Sequence, residues 1–303
     1  MGYTSVLFLQ LMKMFAFMAI GLCLVKSSIL KEEDSNVLAK LLLYVIIPLT
    51  IINSFITNSC TAKEIAVSLL LSIVAMAISV VVSFLAFRKD YISVFGSSFA
   101  NVGFLGIPLV SAVVGSKYVM YISGLVALAN TLQWVFGATF FREKEDGKPH
   151  IKEILLNPMV LAFVCGLALN PLSHLIPSFI IGCTSSIASC NAPIAMILLG
   201  MYLGKIKAIE VFKDGKAYMV CLVRLIVIPI LSILAFWLVP AEMSAMRLGL
   251  LIAAVTPVGS NIAVYAQKYG KDYKFAVVVT CLSTLISTIT IPAMVELALL
   301  IWN

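Results

Sequence analysis

Ten runs of predominantly apolar residues follow one another along this chain, at about 4–24, 38–57, 64–86, 93–114, 118–141, 154–170, 179–203, 217–239, 246–266 and 275–301. Each is long enough, or nearly so, to cross a hydrocarbon layer as a helix, which takes roughly 20 residues. Lipid offers backbone groups no partners, so such runs must satisfy their own hydrogen bonds, and helices do this within one segment. The expected fold class is therefore all-α and polytopic. Only 12% of the residues are charged and the mean hydropathy is +1.09, whereas a soluble domain carries about 25% charge.

The formal net charge of +7 then reports orientation, because basic residues gather in cytoplasmic loops. Loops after odd-numbered spans, with Lys40 at a span mouth, hold sixteen Lys and Arg; loops on the other face hold Lys63, Lys117 and Arg247. This bias places both termini outside and suits a plasma (inner) membrane. No nucleic-acid partner is implied. The first apolar run is followed, not preceded, by Lys26 and Lys31, so no cleavable leader is expected. Seven cysteines, none in Cys-x-x-Cys spacing, read as packing residues.

Two spans are interrupted. SSFANVGFLGIPLVSAVVG, from Ser97 to Gly115, carries Asn101, Gly103, Gly106 and Pro108 within eight residues, and AAVTPVGSNIAVYAQ carries Thr256, Pro257, Gly259, Ser260 and Asn261. Proline removes a donor and glycine shields no carbonyl, so a break is tolerated there only inside protein or beside a wet cavity. Paired interrupted segments in two halves point to a transporter's binding site.

The halves also correspond. Gly21-Leu22-Cys23-Leu24 and Gly166-Leu167-Ala168-Leu169 lie 145 residues apart, as do Pro48 and Pro193; Pro108 and Pro257 lie 149 apart. Five spans per half force the second half into inverted orientation. The expected boundaries are 1–141 for the first repeat, 142–153 for a cytoplasmic linker and 154–303 for the second repeat.

The runs GLCLVKSSILKEEDSNVLAKLLLYVIIPLTIINSF, NVGFLGIPL, NPMVLAFVCGLALN, NAPIAMILLGMYLG and PVGSNIAVYAQKYGKD, the last followed by CLSTLISTITIP, resemble in order the blocks of the auxin efflux carrier family. The short Arg142–Glu153 linker resembles that of its compact prokaryotic branch. The resemblance implies ten helices in two inverted repeats, a fold shared with bile-acid/sodium symporters. It implies a scaffold of helices 1, 2, 6 and 7, a mobile domain of helices 3–5 and 8–10, and a homodimer through the scaffold. It further implies that helices 4 and 9 cross at Pro108 and Pro257 and bind an organic anion beside Asn101, Ser260 and Asn261.

A helix broken at mid-membrane presents free N–H groups and a positive dipole end to an anion, without a buried basic side chain. The same Gly, Pro and Asn residues could instead serve helix packing. Asn53 and Asn191 could line the cavity or bond across helices. Asn130 and Gln133, one turn apart, suggest an interhelical polar contact, and Ser283 belongs to a hydroxyl row in the last span. Lys13 and Arg224 lie within spans, where an ionisable group is either functional or snorkelling. Neither broken segment contains Asp or Glu, so coupling to Na+ or H+ stays open.

No metal or other cofactor is expected. His150 and His174 belong to no catalytic or metal-ligand cluster and there is no His-Glu-x-x-His, so an enzyme is not expected. The expectation is an alternating-access carrier for a small organic anion such as a mono- or dicarboxylate, with a passive channel or sensor as the alternative.

Overall fold

Polarity changes mark where the helices begin. Thr61 accepts the Glu64 amide at 3.2 Å while Glu64 accepts the Thr61 amide at 2.8 Å, closing the first turn of a long span. Asn157 and Asp214 accept first-turn amides of two others at 2.9 Å. Such caps satisfy donors that a helix start leaves over.

The computed structural model describes residues 3–31, 33–141, 156–204 and 212–302. Its helices are α1 (Tyr3–Lys26), α2 (Asp34–Ile56), α3 (Ala62–Phe87), α4 (Tyr91–Ser98), α5 (Val102–Val113), α6 (Ser116–Phe141), α7 (Pro158–Leu175), α8 (Ser178–Gly204), α9 (Gly215–Phe236), α10 (Ser244–Ala254), α11 (Asn261–Lys268) and α12 (Tyr273–Trp302). Eight are long and apolar enough to cross a membrane. The other four form two successive pairs, α4–α5 and α10–α11, where the sequence places its interrupted spans. Three long helices, a broken pair and a long helix thus occur twice in succession. The expected linker at 142–153, with His150, lies outside the described residues.

Helix α1 packs chiefly on α8, and α2 on α7 and α8. The α1–α8 contact is close because Gly21 lies on the Ile197 carbonyl and Gly200 on the Met18 carbonyl, leaving no room for a Cβ. Helix α3 packs on α4, α6, α9 and α10, and α12 on α9 and α11. Asp90 pairs with Lys216 at 2.8 Å, and Lys216 lies 4.4 Å above the Phe275 ring. Loops that the charge bias assigns to one face, before α4, α9 and α12, therefore meet at one end. Arg247, read from sequence as a loop residue, is instead buried within α10; it donates to the Val239 carbonyl at 3.2 Å and stacks on Trp302.

Proline breaks fewer helices than its chemistry suggests. Pro48, Pro108 and Pro229 each lie two residues beyond a five-residue π turn, Leu42–Ile46, Val102–Gly106 and Val223–Val227. In each, an amide bonds five residues back: Ile47 to Leu42, Ile107 to Val102 and Ile228 to Val223. The wider turn carries the carbonyl that proline would orphan away from the ring, so the helix continues. The break in the first pair consequently falls at Phe99–Asn101, seven residues before Pro108, while Pro257 lies inside the second break.

Candidate functional site

The two breaks pair with each other. The Asn101 amide donates to the Pro257 carbonyl at 2.8 Å and the Gly259 amide to the Phe99 carbonyl at 2.9 Å, making an antiparallel bridge between Ala100 and Val258. This is the one β-type contact among the described residues. A Cβ on Gly259 would meet the Phe99 and Ala100 carbonyl oxygens at 3.2 Å, so glycine permits the close approach. Ser283 of α12 accepts the Val258 amide at 3.1 Å. The bridge therefore uses amides that the sequence reading left free for a ligand.

Amides remain one turn further on. Leu105 and Gly106 both donate to the Asn101 carbonyl at 3.1 Å, so Val102, Gly103 and Phe104 have no intrahelical acceptor. They line a cavity of about 20 Å³ together with Asn101, Asn130, Gln133, Gly259, Ser260 and Asn261. The Asn101 side chain is 4% exposed, and its Nδ2 meets no acceptor among the described residues. Asn261 Nδ2 donates to Gln133 Oε1 at 2.8 Å, and Asn130 Nδ2 to its own helix at the Val126 carbonyl, 2.9 Å. A space of this size holds about one water molecule, too little for an organic anion in this conformation.

Larger cavities approach it from two sides. One of about 420 Å³ is lined by Thr50, Asn53, Ser54, Pro108, Ser185 and Asn191, among others. Asn53 Oδ1 accepts from Thr184 at 2.8 Å and Ser185 at 3.0 Å. Asn191 is buried with neither amide atom bonded among the described residues. The second, about 290 Å³, includes Tyr44, Asn130, Trp134, Asn261, Tyr265 and Lys268. Asn130 and Asn261 belong to this cavity and to the small one.

For Arg224, on α9, the structure excludes one of the two alternatives that the sequence left open. The residue is 1% exposed and does not snorkel. Its guanidinium lies at the C-terminal ends of both first half-helices. Nε donates to the Thr256 carbonyl at 3.0 Å, Nη1 to Ser97 O and Ser79 Oγ at 3.3 Å and to Ser98 O at 3.5 Å, and Nη2 to the Ala254 carbonyl. These carbonyls are ones a helix end leaves over, and they carry its negative dipole end. No carboxylate among the described residues pairs with Arg224.

The remaining candidates separate. Thr256 is buried, with Oγ1 donating to the Ala253 carbonyl at 2.8 Å. Gly106 faces Ala253 of α10, where an added Cβ would meet the backbone at 3.5 Å. Lys13 is exposed on the outer side of α1 and lines none of these cavities. Sequence reasoning missed Ser79 as a partner of Arg224, and nothing in its serine-rich surroundings distinguishes it.

A family model described as "Membrane transport protein" matches residues 6–295. No curated protein matches the chain.

Proposed function

Because the chain belongs to this membrane transport protein family, that of the auxin efflux carriers, we propose that it carries a small organic anion through the crossing of its two broken helices. The observation that carries this reading is the convergence of uncommitted donors on one small cavity. These are the Val102–Phe104 amides and the buried Asn101 Nδ2, with the guanidinium of Arg224 bound at the ends of the half-helices that lead into the same crossing. A carboxylate gains hydrogen bonds and the positive dipole end of α5 there. Ser260 and Asn261 add neutral polar groups.

The α4–α5 and α10–α11 pairs count as the fourth and ninth crossings of ten. The twice-repeated order of elements supports two inverted five-helix repeats, even though Pro108 and Pro257 are not at equivalent points. The contacts among α1, α2, α7 and α8 suit a scaffold, and the remaining helices suit a body that carries the crossing in an elevator-like movement. The 420 Å³ and 290 Å³ cavities are then vestibules used alternately from the two faces. A plasma (inner) membrane location with both termini outside follows the charge bias, and the scaffold helices are the surface for a homodimer.

Counterflow tests the reading. Proteoliposomes preloaded with unlabelled mono- or dicarboxylate should transiently accumulate the same labelled anion, saturably. Monotonic equilibration without overshoot would indicate a passive channel. Absence of flux for every carboxylate tried would refute the anion reading.

A further inference from the structure

In carriers built on broken helices, unwound carbonyls and half-helix C-termini are where a coupling cation binds. In this chain the equivalent oxygens are already engaged by a side chain. Ser97 O and Ser98 O end α4, Ala254 O and Thr256 O end α10, and Ser79 Oγ joins them from α3; all accept from the one guanidinium of Arg224. Two negative dipole ends thus converge on a positive charge that is covalently held.

We propose that Arg224 is a tethered cation filling the crossing's cation position, so that transport through this site proceeds without a bound metal ion. The transport clause rests on the carrier reading above; occupancy of the position by the guanidinium does not. Three features favour a fixed ion over an ordinary strut. The guanidinium bonds both half-helices at once, it has no carboxylate partner among the described residues, and its partners are the carbonyls that a broken helix leaves without donors. Arginine remains protonated and presents a planar fork of five donors, matching several oxygens spread over two chain ends. A metal ion would need those oxygens drawn into a tighter shell around the volume the guanidinium occupies. A tethered ion cannot be released on the far side, so it neutralises the helix ends without entering the stoichiometry of transport.

Cation-dependent stability of the purified, detergent-solubilised protein tests this with no anionic substrate present, so failure here is separable from failure of the anion reading. Thermal unfolding is compared in NaCl, LiCl, KCl and N-methyl-D-glucamine chloride at equal ionic strength, and with added methylguanidinium. Wild type should unfold at the same temperature in all four salts. Arg224→Ala should lose on the order of 10 °C and regain a large part of it with methylguanidinium or a small alkali cation, but not with N-methyl-D-glucamine. Arg224→Lys, which keeps a tethered charge with fewer bonds, should fall between them and stay indifferent to the salt. Saturable stabilisation of wild type by Na+ or Li+ would overturn the proposal. So would an Arg224→Ala protein that no cation rescues, since a mere strut would behave that way. If Arg224→Ala does not accumulate, the wild-type and Arg224→Lys salt series decide: indifference supports the proposal and dependence on a metal cation overturns it.

Discussion

The Asn101 amide donates to the Pro257 carbonyl across 2.8 Å, joining residues 156 positions apart at the points where two membrane segments lose their helices. With the Gly259–Phe99 bond it ties the breaks back to back. The ends of both first half-helices are thereby presented to Arg224 on one side, and the first turn of α5 opens onto the small cavity on the other.

This geometry makes Gly259 and Gly103 unequal. A Cβ at Gly259 meets two backbone carbonyls at 3.2 Å, whereas one at Gly103 meets only the Cδ1 of Ile47, at 3.2 Å. Backbone cannot yield as a methyl group can, so Gly259→Ala should destabilise by about 1–3 kcal/mol and Gly103→Ala by clearly less. Thermal unfolding in detergent distinguishes them.

The prolines should also separate. Pro257 lies inside a break, while Pro108 lies in a helix whose π turn accommodates it. Pro257→Ala removes a constraint against continuing α10 and should reduce substrate flux by about tenfold, a rise of roughly 1.4 kcal/mol in the transport barrier. Pro108→Ala should change flux by less than about threefold on the same scale. Initial rates of uptake in proteoliposomes, normalised to protein, check both.

Asn261 and Gln133 share a 2.8 Å bond between α11 and α6. Alanine at either position breaks it, so the two losses should not add. A double-mutant cycle on thermal stability should return about 0.5–1.5 kcal/mol of coupling. Additive effects would mean that the pair does not hold these helices together.

Much of the architecture was legible because membrane helices announce themselves by length and hydropathy. The expected spans 38–57 and 64–86 correspond to Asp34–Ile56 and Ala62–Phe87, and both interrupted stretches are interrupted in the structure. The location of the first break was not legible. Proline rules place it near Pro108, but a π turn depends on bonding five residues back, for which the sequence carries no mark. The role of Arg224 stayed open for a related reason. Seven residues into a span, a basic side chain can reach either an interface or the ends of neighbouring helices, and only tertiary packing decides. Asn101, Ser260 and Asn261, which line the small cavity, were conspicuous as asparagine and serine beside glycine in an apolar run. Lys13, equally conspicuous, lines none of the three cavities described above.

Orientation gives a further expectation. The Asp90–Lys216 contact gathers basic loops at one end, which the charge bias places in the cytoplasm. A reporter after Asn303 should read as external and one inserted beside Lys89 as internal. The opposite pair of signals would reverse the assignment.

The most direct measurement of the central claim compares anion binding to wild type, Asn101→Asp and Lys13→Gln, by thermal shift against a panel of mono- and dicarboxylates. A carboxylate at position 101 places like charge among the donors proposed to receive the substrate, whereas Lys13 is remote from them. If the crossing is the binding site, some carboxylate stabilises wild type and Lys13→Gln alike and leaves Asn101→Asp unshifted. Equal stabilisation of Asn101→Asp and wild type would contradict the account and put the anion elsewhere.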